Sequence, residues 1–536
     1  MACSPRSAAD GLFFNGVIYT LQEEIPIAEA MVVQAGKIVA VGAEKELRMR
    51  YHPTEEIDLQ GNFVFPGFID AHCHFPAYAR SLLTADLRKA QSEKELLVLL
   101  KYWYQEQLEN GVQLNRIDGW GWDQNNWPGK QMPDRQGLDS LFPNVPVVLR
   151  RVDGHAALVN RAALKAFQIC CPEKIEGGWM GTMGDSLSGL LVDNAMNLIP
   201  EVQLDSALLL QTLQRAEQHL FAHGLTGLHD AGLFLNEWQL LRSWLQQGHL
   251  QMPISVMAAD DSANFNFLQV EGPVVDDRFW LRSAKFYADG ALGSRGALLL
   301  EPYHDDHDRF GLPVRSPDYL EKHYQWMHAL GIQVCTHAIG DSANRTVLRL
   351  YAKLLAEPNS RRWRVEHAQV VHEEDRRYFG DFSIVPSVQP THATSDGDWA
   401  EERLGADRMP RAYAYKSLER EMERLPLGTD FPIEDIDPLK TFYAAVARRD
   451  FNGWPEGGFH REEALTREQA LRGISLDAAW AQFREEETGS LVPGKWADFV
   501  VLNADLLHIP EDEIPSARVL STWIRGEEVF SNKEFR

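Results

Sequence analysis

The sequence predicts an α/β protein built on a (β/α)8 TIM barrel, with a small β-sandwich formed from both chain ends and an insertion after the first barrel strand. Three observations indicate this fold. Eight apolar, strand-like runs alternate with helical stretches along the middle of the chain, as expected for βαβ units around a parallel sheet. Both chain ends are rich in short strands. Several of the eight runs end in His, Asp or Lys, and active sites of such barrels lie at the carboxyl ends of the strands.

The two chain ends have the composition of short paired strands. Residues 1–66 contain GLFFNGVIYTL, EAMVVQAGKIVAVG and EEIDLQGNFVFPG, which are rich in Val, Ile and aromatic residues and are broken by Gly and Asn. Residues 473–536 contain TGSLVPGKWADFVVLNAD and VLSTWIRGEEVF, which have the same character. Such runs between turn residues are typical of β-strands. We therefore expect both ends to pair into one β-sandwich.

Residues 67–472 are predicted to form the barrel. The eight strand-like runs are, in order, FVFPGFIDAH, LTGLHDAG, MPISVMAAD, WLRSAKFYADG, IQVCTHAIGD, RWRVEHAQV, FSIVPSVQP and LPLGTDFP. Two further runs, RIDGWGWD and NVPVVLRRVDGH, fall between the first and the second, so we expect an insertion at about residues 76–215. The stretch DSALLLQTLQRAEQHLFAHG has the apolar spacing of a helix and ends at Gly224.

The composition excludes several classes of protein. With 536 residues, 44% of them apolar, the chain can bury a large core. Its formal net charge of −24 argues against a nucleic-acid partner, because binding phosphates requires a positive surface. No apolar run is long enough to span a membrane. The five Cys suit a reducing compartment, so we expect a cytoplasmic protein; the alternative is a cell-envelope lipoprotein whose Cys3 followed a removed signal peptide.

The stretch GFIDAHCHF points to a metal site. Residues two apart in a strand point to the same side, so His72 and His74 are expected to share one face. Comparable side chains end other strand-like runs: Lys285 in the fourth, His337 in the fifth, His367 in the sixth and Asp430 in the eighth. Because the carboxyl ends of parallel strands meet at one mouth, we predict that these side chains converge there as metal ligands.

Two of these residues have more than one interpretation. A lysine in an apolar strand loses solvation, so Lys285 could form a buried ion pair with Asp289 or Asp230. Alternatively, its amine could react with CO₂ to give a carboxylate that bridges two metal ions. Asp430 could stabilise a turn, or it could bind a metal and act as the general base. The residues alone leave these alternatives open.

Taken together, the motifs resemble the amidohydrolase superfamily, and in particular its YtcJ-like, N-substituted-formamide-deformylase-like branch. The resemblance rests on PGFIDAHCH, GWGWDQNNW, RRVDGHAALVN, KFYADGALGSR, THAIGDSANR, RVEHAQ, QPTHATSD, GTDFP and GSLVPGKWADFVVL. It extends over roughly residues 11–530. It implies a barrel with a β-sandwich and a metal-dependent hydrolase that acts on amide-type bonds.

The resemblance also implies a ligand set and a mechanism. His72, His74 and Asp430 would hold one divalent ion, His337 and His367 would hold a second, and carboxylated Lys285 would bridge the two. Zn²⁺ is the expected metal, with Mn²⁺ or Fe²⁺ as alternatives. Water activated by the metal would attack the carbonyl of a small amide, N-acyl or N-formyl substrate. Asp430 would carry the proton to the leaving nitrogen.

Four further residues are candidates for substrate binding. Trp122 belongs to an aromatic cluster that either packs the core of the insertion or lines an apolar substrate site. His155 and His392 are candidate donors to the substrate carbonyl or its anion, with a structural role as the alternative. Arg295 either clamps a substrate carboxylate or forms a salt bridge.

Two alternative functions follow from the same residues. The first is a mononuclear aminohydrolase that deaminates a heterocyclic amine. Such relatives usually carry a Glu shortly after the fifth-strand histidine, whereas AIGD follows His337 here. The second is a barrel that has lost catalysis and only binds a ligand, although all the ligand positions are intact. The sequence leaves open which substrate is used and whether the chain forms a homodimer.

Overall fold

A barrel of parallel strands forms the centre of the structure, a computed structural model that describes residues 7–109, 114–200, 205–356 and 359–532. The barrel strands, in chain order, are Phe68–Cys73, Leu225–Leu233, Ile254–Ala258, Phe279–Tyr287, Gln333–Ala338, Arg364–His367 and Val385–Ser387. Each of them pairs in parallel with the next. The short strand Val274–Val275 pairs antiparallel with the fourth barrel strand.

The eighth predicted run closes the barrel without forming a long strand. Leu427 makes a parallel bridge with Val388, and the Ala71 N–H donates to the Leu427 carbonyl over 3.2 Å. Three residues later, the Asp430 N–H donates to the His72 carbonyl over 2.8 Å. The run therefore lies between the seventh and the first barrel strands, and the predicted (β/α)8 fold is confirmed.

The first predicted run, FVFPGFIDAH, is two strands rather than one. Phe63–Pro66 pairs antiparallel with Phe499–Leu502 in the sandwich, and only Phe68–Cys73 enters the barrel. A Cβ on the intervening Gly67 would lie 2.2 Å from Thr226 Oγ1, so glycine lets the chain pass close to the second barrel strand. The prediction of one strand was wrong because both segments are apolar, and apolarity does not reveal a change of pairing partner.

Both chain ends contribute to the β-sandwich, as predicted. One sheet contains, in spatial order, Lys37–Gly42, Ala30–Gln34, Ser7–Phe14 and Tyr51–Asp58; the other contains Glu527–Ser531, Val519–Ile524, Phe499–Leu502, Phe63–Pro66, Val17–Tyr19 and Ile27–Ala28. Phe13 packs against Phe499 and Trp523, with ring centroids 5.0 and 4.9 Å away. Leu47, in the helix Glu44–Arg50, packs on the opposite face of the first sheet. The exact domain boundaries stay a prediction.

An insertion separates the first and second barrel strands, as predicted. Its six-stranded sheet contains, in spatial order, Gly178–Met183, Ser186–Asp193, Ala156–Val159, Val147–Arg151, Ile117–Trp122 and Ala85–Asp86. Its helices are Glu93–Glu109, Gln136–Leu141 and Arg161–Ala166. Leu96 and Leu164 belong to two separate apolar clusters of this segment. The insertion therefore has a core of its own.

Helices alternate with the barrel strands. They are Phe75–Ser81, Ser206–Ala222, Leu235–Gln246, Ser262–Val270, Pro317–Leu330, Asp341–Leu354, Glu373–Asp381, Pro390–Ser395, Ala400–Leu404, Tyr415–Met422, Pro438–Ala447, Arg467–Gly473 and Leu476–Ala481. Short 3₁₀ helices are Gln124–Asn126, Asn194–Leu198, Met409–Arg411, Arg461–Glu463 and Glu511–Ser516. The helix predicted before Gly224 is confirmed at Ser206–Ala222, with Asp205 as its N-cap.

Within the described residues, no helix combines the length and apolarity needed to cross a membrane. Cys3 lies outside the described residues.

Candidate metal centre

The first barrel strand brings two histidines to the mouth of the barrel. Because a strand alternates its sides, Asp70 and His72 share one side of Phe68–Cys73, and His74 follows directly after the strand. The rings of His72 and His74 have centroids 5.6 Å apart. Cys73 is turned to the second barrel strand, where its thiol donates to a backbone carbonyl. The two imidazoles therefore lie side by side.

Asp430 reaches the same place from the eighth run. Asp70 ties that run to the first strand, because its carboxylate accepts the N–H groups of His72 and Thr429 and the Thr429 hydroxyl. The backbone of Asp430 has a φ of 65°, which a non-glycine residue adopts where its surroundings hold it there. As a result, Asp430 Oδ1 lies 3.2 Å from His74 Nε2 and 3.6 Å from His72 Nε2.

His337 and His367 extend this cluster of imidazoles. His367 ends the sixth strand with a φ of 72°. Its ring centroid lies 4.7 Å from that of His72 and 4.6 Å from that of His337. Ligand atoms of His72, His367 and Asp430 all lie within 4.8 Å of one another. These three side chains are close enough to share one metal ion.

Hydrogen bonds fix which nitrogen two of the imidazoles offer. His72 Nδ1 lies 2.6 Å from Glu366 Oε2, and His367 Nδ1 lies 2.7 Å from Gln389 Oε1. Both oxygens are acceptors, so each Nδ1 carries the proton and each Nε2 keeps its lone pair. A ring held in this way is the usual arrangement of a histidine that binds a metal.

Sequence analysis missed Glu366, although it stands beside His367 in RVEHAQ. Neighbouring residues of a strand face opposite sides, so the alternation that places His367 at the mouth would turn Glu366 away from it. The positive φ of His367 ends this alternation and admits both. The available signal was the charged pair Arg364 and Glu366 inside an apolar strand; their side chains are 2.6 Å apart and buried. Burial would raise the pKa of Glu366, but Arg364 and His72 hold it well below its usual range.

Burial keeps the imidazoles neutral. It lowers the pKa of His72 to about 4, with the charge of Lys285 acting in the same direction. It also lowers the pKa values of His337 and His367 well below their usual range. Burial would raise the pKa of Asp430, but the neighbouring imidazoles of His74, His72 and His392 together outweigh burial and keep this pKa low. Neutral imidazoles and an ionised carboxylate are the forms that bind metals.

Lys285 lies beside this cluster and is fully buried. Its Nζ is 3.5 Å from His72 Nε2 and 3.5 Å from the Ala231 carbonyl. Within the described part of the chain, no carboxylate oxygen forms an ion pair with it. Asp230 and Asp289 instead accept backbone N–H groups. The described residues therefore do not show the buried ion pair between Lys285 and Asp230 or Asp289 that the sequence left as an alternative.

The donor set fits a divalent metal ion. Imidazole nitrogens and carboxylate oxygens are common ligands of Zn²⁺ and related metals. Asp430 Oδ1 and His392 Nε2 are buried polar atoms without a hydrogen-bond partner among the described residues, and such atoms are rarely left unpaired. A cation bound at the cluster would satisfy Asp430 Oδ1.

Two of the candidate substrate-binding residues lie at this cluster. His392 stands in the helix Pro390–Ser395, and its Nε2 is 3.5 Å from Asp430 Oδ2. His155 comes from the insertion, and its ring centroid is 5.1 Å from that of His337. Burial lowers the pKa of His155, but the hydrogen bond and charge of Asp193 outweigh this effect and raise it above its usual value.

The other two candidates have structural partners. Trp122 is fully buried, and its indole N–H donates to the Leu149 carbonyl over 2.9 Å inside the insertion. We therefore correct its assignment from substrate binding to core packing, the alternative that the sequence had left open. The Arg295 guanidinium donates twice to Asp305, with Nη2 2.8 Å from Oδ2. The partner of the Arg295 side chain is therefore Asp305, in a salt bridge, and not a substrate carboxylate.

The chain is similar to several known proteins over most of its length. The model of a family described as "Amidohydrolase family" matches residues 55–530. Protein LONG AFTER FAR-RED 3 of Arabidopsis thaliana is 32% identical over 97% of this chain and 92% of its own length. Putative amidohydrolase YtcJ of Bacillus subtilis (strain 168) is 31% identical over 97% of this chain and 99% of its own length. N-substituted formamide deformylase of Arthrobacter pascens is 26% identical over 96% of this chain and 97% of its own length.

One solved structure shares the fold of this protein over most of both chains. It is an uncharacterized metal-dependent hydrolase from Pyrococcus horikoshii OT3, with a TM-score of 0.75 and 27% identity. The match covers 94% of this chain and 99% of that one.

Proposed function

Because the chain belongs to the amidohydrolase family, we propose that it is a metal-dependent hydrolase that cleaves the C–N bond of a small amide, N-acyl or N-formyl compound. The observation that carries this proposal is the set of buried neutral imidazoles around the ionised Asp430. The full-length similarity to an N-substituted formamide deformylase supports the choice of bond.

We propose that the residues at the mouth would hold two divalent ions. His72, His74 and Asp430 would hold one ion, His337 and His367 would hold the other, and carboxylated Lys285 would bridge them. Zn²⁺ suits these donors best, with Mn²⁺ or Fe²⁺ as alternatives. When bound, such ions acidify water and polarise a carbonyl group.

Asp430 has the position and the charge for proton transfer. Its ionised carboxylate can accept a proton from the attacking water and return it to the nitrogen as the C–N bond breaks. The products are then a carboxylic acid and an amine. His392, 3.5 Å from the same carboxylate, can hold Asp430 in place during the transfer. Glu366 and Gln389 position His72 and His367 through their Nδ1 atoms.

Metal content and hydrolysis together test this proposal. We expect about two metal equivalents per chain by elemental analysis of protein purified without chelators, and release of amine from N-formyl or simple amide substrates. K285A should lower the metal content. D430N should abolish hydrolysis, whereas D505N, which changes a carboxylate of the sandwich, should not.

Two other results would change the proposed metal content or the proposed reaction. One equivalent of metal and unchanged metal content in K285A would argue for a mononuclear site and for testing deamination of heterocyclic amines. No metal binding after addition of Zn²⁺ or Mn²⁺ would contradict the hydrolase.

A further inference from the structure

Two adjacent cysteines lie on the surface of the insertion. Cys170 and Cys171 follow the helix Arg161–Ala166, and both side chains are exposed. Their sulfur atoms are 3.3 Å apart. The other cysteines among the described residues, Cys73 and Cys335, are buried in barrel strands. A solute can therefore reach two thiols at once at this point of the insertion.

The chain on either side restricts the positions of the two cysteines. Ile169 belongs to an apolar cluster of the insertion, and its N–H donates to the Leu164 carbonyl over 2.9 Å. On the other side, Pro172 follows Cys171 directly, and a residue before proline is restricted to extended conformations. A site whose backbone is already ordered loses less conformational entropy on binding than a flexible segment does.

The two thiols are poorly placed to form a disulfide with each other. Adjacent Cα atoms lie about 3.8 Å apart across a trans peptide bond, whereas disulfides usually join Cα atoms about 4.4–6.8 Å apart. A bond between Cys170 and Cys171 would therefore be strained and easily reduced. The Cys170 thiol also raises the pKa of Cys171 above its usual value. Because the thiolate is the form that reacts with oxidants, this shift slows oxidation.

The spacing of the two sulfur atoms suits a ligand atom with a narrow bond angle. An atom bonded to both sulfurs at about 2.3 Å, the length of a zinc–thiolate bond, would form an S–atom–S angle of roughly 90° at the observed spacing. Zinc prefers the wider tetrahedral angle and four ligands, and this pair supplies two. Trivalent arsenic forms three bonds at nearly right angles, because a lone pair occupies its remaining position. Two thiol sulfurs and one organic group complete this coordination.

We propose that Cys170 and Cys171 form a dithiol site that binds trivalent organic arsenicals. In the binding step, an arsenic(III) oxide of the type R–As=O reacts with both thiols. Two S–H bonds and the As=O bond break, two As–S bonds form, and the oxygen leaves with the two protons as water. No atom is oxidised or reduced, so the step needs no further reactant. The site is independent of the proposed hydrolase.

The test titrates the full chain with phenylarsine oxide in the presence of glutathione, a competing monothiol. Native mass spectrometry counts the adducts, and a chromogenic thiol reagent counts the free thiols of the folded protein. C170S and C171S each leave one thiol of the pair, and their Tm shows that they fold. C3S is the control, because it keeps the pair and removes the cysteine that lies outside the described residues.

We expect one arsenical per wild-type chain and the loss of two free thiols for each adduct. The dithiol 2,3-dimercaptopropanol should remove the arsenical, whereas glutathione should not, because only a dithiol replaces both As–S bonds within one molecule. C170S and C171S should bind roughly 100- to 10,000-fold more weakly, the usual gain from linking two binding groups. C3S should bind as the wild-type chain does.

Three results would overturn the proposal. The first is the absence of an adduct on the wild-type chain. The second is an unchanged affinity of C170S and C171S, which would place the arsenic on other cysteines. The third is a wild-type chain that is two hydrogens lighter in glutathione buffer and carries a Cys170–Cys171 disulfide, which would identify the pair as a redox couple instead.

Discussion

At the scale of single residues, the candidate metal centre depends on a buried carboxylate behind a ligand. Glu366 holds Nδ1 of His72 at 2.6 Å, and Arg364 compensates its charge at the same distance. Removing the negative charge would make the His72 ring less basic at Nε2. It would also leave the Arg364 guanidinium buried with less compensation, which is unfavourable. Glu366 is therefore expected to control both the metal affinity and the local stability.

The variant E366Q tests this residue. Glutamine keeps the size of the side chain and can still accept from Nδ1, but it lacks the charge. We expect the affinity for Zn²⁺ to fall roughly 10- to 100-fold, the usual range for a residue behind a metal ligand. Competition with a chromophoric chelator measures this affinity, and thermal unfolding shows whether the fold is retained.

E374Q is the matched control, since the Glu374 side chain is 78% exposed on the helix Glu373–Asp381. It should bind Zn²⁺ as the wild-type chain does. An E366Q protein with wild-type affinity would show that Glu366 does not act on the metal site.

At the scale of secondary-structure elements, Gly67 links the sandwich to the barrel. It joins the strand Phe63–Pro66 of the sandwich to the first barrel strand, and its N–H donates to the Asp498 carbonyl over 2.9 Å. A Cβ at this position would meet Thr226 of the second barrel strand at 2.2 Å. Because the first strand also carries His72, a displacement here would move a candidate ligand.

We expect G67A to destabilise the protein by about 1–3 kcal/mol, the usual effect of forcing extra atoms into a packed site. Urea unfolding monitored by tryptophan fluorescence measures the change. G11A is the control, because a Cβ there would make only ordinary contacts, the nearest at 3.5 Å. Equal stability of G67A and the wild-type chain would mean that the two strands can separate without penalty.

At the scale of the whole molecule, the candidate site collects residues from distant parts of the chain. Strand ends near residues 72, 285, 337, 367 and 430 meet at one mouth, and the insertion adds His155. In this arrangement Asp430 Oδ1 is buried and makes no hydrogen bond within the described residues. A bound metal should therefore stabilise the barrel as a whole.

Removal of the metal tests this coupling. Dialysis against a strong chelator should lower the Tm, and readdition of Zn²⁺ should restore it. At a free Zn²⁺ concentration 100 times the Kd, binding to the folded state alone contributes about 2.7 kcal/mol. D430N should show a much smaller change of Tm with Zn²⁺. A Tm that does not depend on Zn²⁺ in the wild-type chain would contradict the coupling.

Particular residues show how far the sequence alone could lead. The period of two in GFIDAHCHF suffices to put His72 and His74 on one side, and local apolar runs suffice to count the barrel units. The same period of two would turn Glu366 away from the mouth that His367 faces. The positive φ of His367 interrupts this alternation, so Glu366 also lies at the candidate metal centre. Apolarity likewise could not separate Phe63–Pro66 from Phe68–Cys73, since both segments are buried but in different sheets.

The sequence by itself determined the barrel, the sandwich from both chain ends, the insertion and the chemical types of side chain at the strand ends. These features depend on periodicity and composition, which are local properties of the chain. Only the tertiary structure decided that Glu366 holds His72, that Lys285 has no carboxylate partner among the described residues, and that Trp122 packs a core. Such contacts join segments far apart in the chain, and the closure of the barrel and the seating of the insertion fix them.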